Sequence, residues 1–202
     1  MNQPLPIETP VPELFLVLDL ECTCSDDDAP ADSAIPRDAM EIIEVGAAWC
    51  SPGGEVLDRF ARLVRPTERP ALTQFATQLT GITQAMVDNA SSLDSVLYEL
   101  DLWLTPTCAS RSVAWGAWGA SDHRQIDQET SRKALATSLL TLPFVNLKAA
   151  FARKRRVKQM GMRAALRTIG ADVPASQHRA LSDALAICAL VPHTLAPAEI
   201  RS

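Results

Sequence analysis

The chain alternates between short, continuously apolar runs and longer stretches in which apolar residues recur at helical spacing. The run at residues 14–18 is short and uninterrupted, as is typical of a strand buried on both faces, and we expect order to begin at Glu13. The turn sequence Ser-Pro-Gly-Gly at residues 51–54 separates two further runs, which predicts a β-hairpin. The strands predicted in this way are residues 14–18, 41–49, 56–64, 112–115 and 143–147.

Amphipathic stretches between and after these strands predict helices. One helix is expected to start at Ser121 or Asp122 and to run towards Leu140, and another to stop at Gly170. Strands that come first as a hairpin and then alternate with helices predict an α/β layered domain of mixed topology, with about five strands flanked by helices. The predicted helices are residues 93–104, 121–140, 149–157, 162–169 and 181–191.

The length of 202 residues and the hydrophobic fraction of 47% fit one domain, which we expect over residues 13–193 between tails at 1–12 and 194–202. No apolar run is long enough to cross a bilayer, and the N-terminus lacks the features of a signal peptide. We therefore expect a cytoplasmic protein without membrane contact. The five cysteines lack CxxC spacing, which favours reduced thiols over disulfides or a zinc site.

The formal net charge of −5 argues against a protein that binds nucleic acid by bulk electrostatics. This objection weakens where acids gather around divalent cations, because bound ions reverse the local charge that a phosphate meets. The positions of the acidic residues therefore decide how the charge is interpreted.

Asp19 and Glu21 follow the first predicted strand, two residues apart, so the strand period of two places both carboxylates on one face. Close carboxylates resist ionisation unless a cation lies between them, and hard divalent ions with oxygen ligands meet that need. Acids at a strand end are also often simply solvated, so the pair alone does not choose between the two interpretations.

Two more acids lie where ligand groups are expected. Asp122 comes just past the strand predicted at residues 112–115, where α/β sheets collect ligand groups, although an aspartate there is also expected as a helix cap. Asp183 lies five residues after His178, and the apolar residues that follow it at helical spacing turn it towards the core, where an unpaired carboxylate is costly. A histidine before a helix is more often solvated than catalytic.

Taken together, these segments resemble the three motifs of the DEDDh exonucleases, a ribonuclease H-like (DnaQ-like) family of proofreading and RNA-trimming enzymes. Residues 15–24 (FLVLDLECTC) are similar to the first motif, residues 118–126 to the second, and residues 178–183 to the HxxxxD third. Other segments resemble the Eri-type 3′–5′ exoribonucleases and the KapD-like bacterial group. These segments are residues 41–44, Phe75, residues 79–83, 145–148 and 161–166.

The chain departs from this family in two places. The loop at residues 25–38 is long, acidic and proline-containing, and Ala186 stands where many relatives have asparagine. Neither departure removes a catalytic group, but the loop is placed to alter which substrates approach.

The resemblance implies a 3′–5′ exonuclease that releases nucleoside 5′-monophosphates by two-metal-ion hydrolysis. Asp19, Glu21, Asp122 and Asp183 would hold two divalent metal ions, Mg²⁺ or Mn²⁺. His178 would accept the proton of the attacking water, a role that suits histidine because imidazole titrates near neutrality.

The resemblance also implies where the terminal nucleotide binds. The residues after the first motif would hold it, and the turn at residues 80–82 would wedge against the last base. Trp118 is either a stacking platform for a base or a core residue. The substrate-binding residues predicted in this way are Cys22, Thr23, Thr80, Gly81, Ile82 and Trp118.

Single-stranded RNA 3′ ends are the leading substrate. A DNA exonuclease of the proofreading or repair type, and a catalytically silent binding module on the same fold, remain open alternatives. The basic run at residues 153–158 either follows the phosphate backbone or forms a solvated helix face.

Overall fold

The computed structural model describes residues 12–26, 28–30, 34–175 and 178–194. The described strands are β1 Leu14–Cys22, β2 Ile42–Cys50, β3 Val56–Arg65, β4 Ser91–Ser92, β5 Val113–Ala117 and β6 Phe144–Asn146. These six strands form one mixed sheet in the order β4-β3-β2-β1-β5-β6. The first three strands pair antiparallel, whereas β5 and β6 run parallel to β1 and β4 runs parallel to β3.

Helices cover both faces of this sheet, and two of them, Leu93–Ser110 (α3) and Ala180–Cys188 (α7), cover its centre from opposite sides. Three short 3₁₀ helices complete the described structure, at Arg37–Ala39, Ser138–Thr141 and Val191–His193. None of the helices in the described ranges is both long and apolar enough to cross a membrane. The α-helices are α1 Gln74–Thr80, α2 Gln84–Asp88, α3 Leu93–Ser110, α4 Ser121–Arg132, α5 Leu147–Arg155, α6 Met162–Ile169 and α7 Ala180–Cys188.

The central strand β1 divides the core in two. Its even-numbered residues Leu16 and Leu18 pack with the apolar side of α3, and its odd-numbered residues Phe15 and Val17 pack with α7. Because side chains alternate along a strand, Asp19 continues the side that faces α7. The apolar pattern of β1 thus determines on which face the acids lie.

The predicted α/β layered domain with a mixed sheet is confirmed. The structure has one strand more than the five predicted: β4, which has only two residues and is not indicated by any apolar run in the sequence. The helix expected to continue from Asp122 to Leu140 is wrong in its second half, because α4 ends at Arg132. Ala134 there has a φ of 53°, and the Leu135 N–H donates to the Thr130 carbonyl, a bond that closes a helix C-terminus.

Other boundaries differ less. The third helix continues to Ser110 instead of residue 104, with Pro106 inside it. The last helix ends at Cys188, and a 3₁₀ turn replaces its predicted final residues. Most of the two predicted tails lies outside the described residues.

Candidate active site

The carboxylates of Asp19 and Glu21 lie at the end of β1, on the side that faces α7. Glu21 is only 7% exposed and pairs across the ladder with Glu44 of β2, while Asp19 pairs with Gly46. The β1–β2 register shifts directly after Glu21. The strand therefore ends its regular pairing where the two acids lie.

Helix α7 approaches the sheet unusually closely at Gly46. A Cβ atom on this glycine would lie 2.1 Å from the backbone of Ala180 and Leu181, so only glycine permits the contact. The Glu44 carboxylate holds the same helix end, because it accepts the Ala180 N–H at 2.9 Å and the Arg179 guanidinium at 2.8 Å. Together these contacts place the first turn of α7 against the end of β1.

Asp183 lies in this first turn, and His178 precedes it. The His178 N–H donates to Oδ2 of Asp183 at 3.1 Å, and His178 has a φ of 60°, which brings the residue back over the helix end. One ligand atom each from Glu21, His178 and Asp183 lies within 4.8 Å of the others. The third motif is thus joined to the first.

Asp122 reaches the same place from the opposite side. It lies in the first turn of α4, and its Oδ1 accepts the N–H of Leu20, between the two acids of β1, at 3.3 Å. The Ser121 hydroxyl donates to Oδ2 at 3.3 Å. The structure therefore brings all four predicted acids and the histidine to one pocket, although they are spread over 165 positions of sequence.

Burial and mutual repulsion act on these acids. Burial, followed by the charges of Asp122 and Glu21, raises the pKa of Asp19 well above its ordinary value. Burial and the charges of Asp183 and Glu44 raise the pKa of Glu21 to about 8. Without a counter-ion, the pocket therefore holds protons that isolated carboxylic acids would lose.

The pKa values of the other two acids, Asp122 and Asp183, are also raised, but nearby hydrogen bonds and positive charges partly oppose the shift. Burial raises the pKa of Asp122, although hydrogen bonds from the Leu20 N–H and the Ser121 hydroxyl oppose the shift. Burial also raises the pKa of Asp183, against the His178 N–H and the charges of His178 and Arg163. Arg163, in α6, is a cation at this pocket that the sequence did not reveal.

These side chains fit divalent metal ions. The Oδ1 atom of Asp183 is buried and has no hydrogen-bond partner among the described residues, which is costly unless a cation takes that place. The donor set is almost entirely carboxylate oxygen, which suits Mg²⁺ or Mn²⁺. A positive ion would also remove the repulsion that raises the pKa values of Asp19 and Glu21.

The predicted nucleotide contacts lie at different depths. Cys22 is half-buried and lines a groove that leads away from Glu21, whereas the Thr23 side chain is 1% exposed and accepts the Glu41 N–H. Thr23 therefore supports the loop, and of these two predicted contacts Cys22 is the one that lines the groove.

The turn after α1 is also mostly internal. Thr80 caps the chain reversal by accepting the Ile82 N–H, and the Ile82 side chain is buried, so neither side chain is free to touch a base. Gly81 is exposed, with a φ of 70°. The apolar side chains exposed on this helix are instead Phe75 and Leu79.

Trp118 is half-buried beside the pocket. Its indole N–H donates to the Met160 carbonyl at 3.0 Å, and its ring packs edge-on against Phe151 at 5.6 Å. The residue therefore joins β5 to α5 and the start of α6 while part of its surface remains accessible.

The basic run lies at the far end of α5. The helix starts beside the carboxyl end of β6 and is nine residues long, about 13 Å at the helical rise, and the basic run begins in its last turn and continues beyond it. Lys154 donates to the Pro192 carbonyl, and Arg155 lies over the Phe151 ring. Two of these cations thus have structural contacts.

Comparison with known proteins gives the family. The exonuclease family (RNase_T) matches residues 16–191. The chain is 30% identical to ERI1 exoribonuclease 2 of Danio rerio over 188 residues, which cover 84% of this chain and 33% of the relative. It is 38% identical to ERI1 exoribonuclease 3 of Homo sapiens over 112 residues, 52% of this chain and 31% of the relative.

The fold is that of a solved nuclease. The nuclease domain of 3′hExo, a DEDDh family member bound to rAMP, superposes with a TM-score of 0.79 at 22% identity, covering 89% of this chain and 90% of that one. The chain spans about a third of the length of the two curated relatives. With the family match over residues 16–191 and the acids and histidine of its three motifs around one pocket, this chain belongs to the exonuclease family, in the DEDDh group that its sequence resembles.

Proposed function

We propose that this chain is a 3′–5′ exonuclease that hydrolyses the last phosphodiester bond of a nucleic acid and releases a nucleoside 5′-monophosphate. The observation that carries the proposal is the convergence of four carboxylates on one pocket, with Glu21, His178 and Asp183 offering ligand atoms within 4.8 Å of one another. A set of buried acids with raised pKa values is unfavourable on its own, which marks a functional rather than a structural cluster.

Asp19, Glu21, Asp122 and Asp183 are the residues that would hold two divalent ions, Mg²⁺ or Mn²⁺. Bound there, the ions supply positive charge for the attacking and leaving oxygens of an in-line displacement. His178 lies at the rim with its backbone fixed by Asp183, which positions the imidazole to accept the proton of the attacking water.

RNA is the proposed substrate, with DNA as the alternative within the same chemistry. The support comes from similarity, since the curated relatives named above are called exoribonucleases and the solved nuclease domain holds rAMP. The two substrates differ in the 2′-hydroxyl group of every nucleotide, so discrimination depends on contacts to such a group, and the one on the terminal nucleotide lies nearest the catalytic pocket.

Two single strands of one sequence, one RNA and one DNA, test the proposal. Each is prepared once with a 3′ label and once with a 5′ label, and all are digested in parallel with Mn²⁺. We expect stepwise shortening from the 3′ end, mononucleotide products and faster loss of RNA. Asp183→Asn is the control, since it removes one ligand without changing the size of the side chain. A wild-type protein that releases no more mononucleotide than Asp183→Asn would instead be a silent binding module.

A further inference from the structure

A groove of about 820 Å³ leads from the catalytic carboxylates along one side of the molecule. It begins at Glu21 and Asp122, and its volume is within the range of pockets that enclose a small organic ligand. One wall is α1, with Phe75 and Leu79 each 37% exposed, and another is the outer face of α4. The third wall is formed by the described part of the long loop between β1 and β2. The loop residues that line it include Ser25, Asp26, Ile35, Arg37, Asp38 and Met40.

The loop wall is held in place from two sides. The Ile35 N–H donates to the Ser25 hydroxyl at 2.9 Å, which ties the two arms of the loop together. Arg132 of α4 donates to the carbonyls of Asp38 at 2.6 Å and Met40 at 3.0 Å, and Gln125 donates to the same Met40 carbonyl at 2.9 Å. The described part of this loop is therefore a fixed surface facing α4.

The charges that line the groove are unevenly paired. Two cations, Arg37 of the loop and Arg124 of α4, face four acids, and two of those acids are the ligands Glu21 and Asp122. The guanidinium groups of Arg37 and Arg124 make no hydrogen bond or ion pair with any other described residue, whereas three arginines elsewhere in the described ranges do. Those paired arginines are Arg62 with Glu99, Arg132 with Glu68, and Arg179 with Glu44.

Unpaired arginines on the loop wall and the α4 wall match a phosphodiester, because a planar guanidinium can donate two hydrogen bonds to the two non-bridging oxygens that share its single negative charge. The remaining groove acids, Asp26 and Asp38, would repel a polyanion if the two arginines were absent. The exposed Phe75 and Leu79 on the opposite wall offer an apolar surface for unpaired bases. A groove that can bind phosphates on one side and unpaired bases on the other fits a single-stranded nucleic acid.

We propose that Arg37 and Arg124 bind backbone phosphates of the nucleotides upstream of the scissile bond, so that the groove selects single strands extending beyond the terminal nucleotide. This subsite rests on the proposed exonuclease function, because its position is defined relative to the carboxylates. One of its two cations, Arg37, lies in the loop and the other in α4, and the pair explains how a protein of net charge −5 holds a polyanion locally.

Two substrates separate the subsite from the catalytic centre. A single-stranded 12-mer fills the groove, whereas the p-nitrophenyl ester of uridine 5′-monophosphate presents only the terminal nucleotide and its phosphate. We compare kcat/KM for the 12-mer with kcat/KM for the ester. Arg37→Ala and Arg124→Ala should each lower this ratio about tenfold, because each raises the KM for the 12-mer alone. Each should also reduce the dependence of log(kcat/KM) on log salt by about 0.7.

Arg111→Ala is the matched control, because Arg111 is exposed next to the start of β5, at the opposite end of the strands from Asp19. It should leave both kinetic values unchanged. Equal losses on the 12-mer and the ester, or no loss on either, would overturn the subsite.

Binding of a fluorescent 12-mer in Ca²⁺, measured by anisotropy, needs no turnover. The Arg37→Ala/Arg124→Ala double variant should bind about a hundredfold more weakly than the wild type. If the wild type binds in this way but cleaves neither substrate, the exonuclease proposal fails while the subsite stands. If wild type and double variant bind equally, the subsite is wrong whatever the activity.

Discussion

At the scale of single residues, His178 has two possible roles that one variant separates. Its ring lies among the oxygens of Glu21 and Asp183, which suits a metal ligand as well as a base. We expect His178→Ala to lower kcat by about 10² to 10⁴, the usual contribution of a general base. The rise in Tm on adding Mn²⁺ should persist, because four carboxylates remain to bind the ions.

The control for that experiment is His193→Ala, which changes a histidine in the last 3₁₀ turn, outside the pocket. Loss of the Mn²⁺-induced rise in Tm in His178→Ala alone would assign His178 to the metal and remove it as the base. Cleavage at the wild-type rate would remove it from both roles.

The acids of the site could be predicted residue by residue, but their supports could not. Asp19 and Glu21 share a face because a strand has a period of two, and this holds whatever the rest of the fold does. Glu44 and Arg179 act through contacts between residues 135 positions apart, which no local pattern reveals. The sequence likewise could not indicate that the Ile82 side chain is buried, since its apolar character fits a wedge and a core equally well.

At the scale of elements, the placement of α7 on β2 depends on Gly46. A methyl group there would meet the backbone of Ala180 and Leu181 at 2.1 Å, which side-chain adjustment cannot relieve. We expect Gly46→Ala to cost about 3 kcal/mol of the free energy of unfolding, as overpacking does, and to weaken Mn²⁺ binding by moving Asp183 away from β1. Urea denaturation and a Mn²⁺ titration measure the two effects.

Gly161→Ala is the matched control for this prediction. Gly161 has a φ of −63° and open space around its Cβ position, so a methyl group is tolerated there. If Gly46→Ala were as stable as Gly161→Ala and bound Mn²⁺ normally, the close approach of α7 would not be what positions Asp183.

A second link between elements joins α4 to the loop before β2. Lys133 contacts Glu41 at 2.7 Å and Glu129 at 2.8 Å, and both carboxylates have fully buried side chains. Burial alone would raise the pKa of Glu41, but hydrogen bonds from Lys133 and the N–H groups of residues 67–69 outweigh it and lower that pKa to about 2. The ionised form of Glu41 therefore stabilises the folded protein.

We expect Lys133→Met to cost about 3 to 5 kcal/mol of the free energy of unfolding at neutral pH, because it leaves two buried carboxylates without their cation. Since the pKa of Glu41 lies below its ordinary value, its contribution is complete above about pH 4.5 and is lost as the pH falls towards 2. The difference from the wild type should therefore shrink in acid. Lys158→Met, at an exposed position, should show no such difference at any pH.

The elements themselves were largely predictable because each long one carries its own apolar period. The five strands and five helices that the apolar pattern predicts are all present in the structure, although several begin or end at other residues than predicted. The missed break of α4 at Ala134 has no glycine or proline to mark it, and the strand Ser91–Ser92 is made by its pairing with Val64 and Arg65 instead of by its own composition. Features that depend on a distant partner are those that a local pattern leaves out.

At the scale of the whole molecule, charge is concentrated in one place. The net charge of −5 is modest for 202 residues, but four of the acids share one pocket together with the nearby Glu44. His178 and Arg163 lower the pKa of Asp183 by their charges, and Arg179 lowers that of Glu21, but burial and the neighbouring acids outweigh them. The stability of the whole chain is thus tied to what neutralises this pocket.

The response to metal should consequently depend on pH. The pKa of Glu21 is about 8 without an ion, above its ordinary value of 4.5, so the folded protein keeps a proton that the unfolded chain has lost between those values. The metal-free protein should therefore lose stability as the pH rises through that window. Because ions compete with those protons, Mg²⁺ or Mn²⁺ should raise Tm more at about pH 8.5 than at about pH 6.

In Asp183→Asn, which has one charge fewer, the metal-free Tm should fall less over the same range and the ions should raise it less. Equal metal-induced shifts at both pH values in the wild type would mean that the acids do not take up ions together, and the basis of the proposed chemistry would be lost.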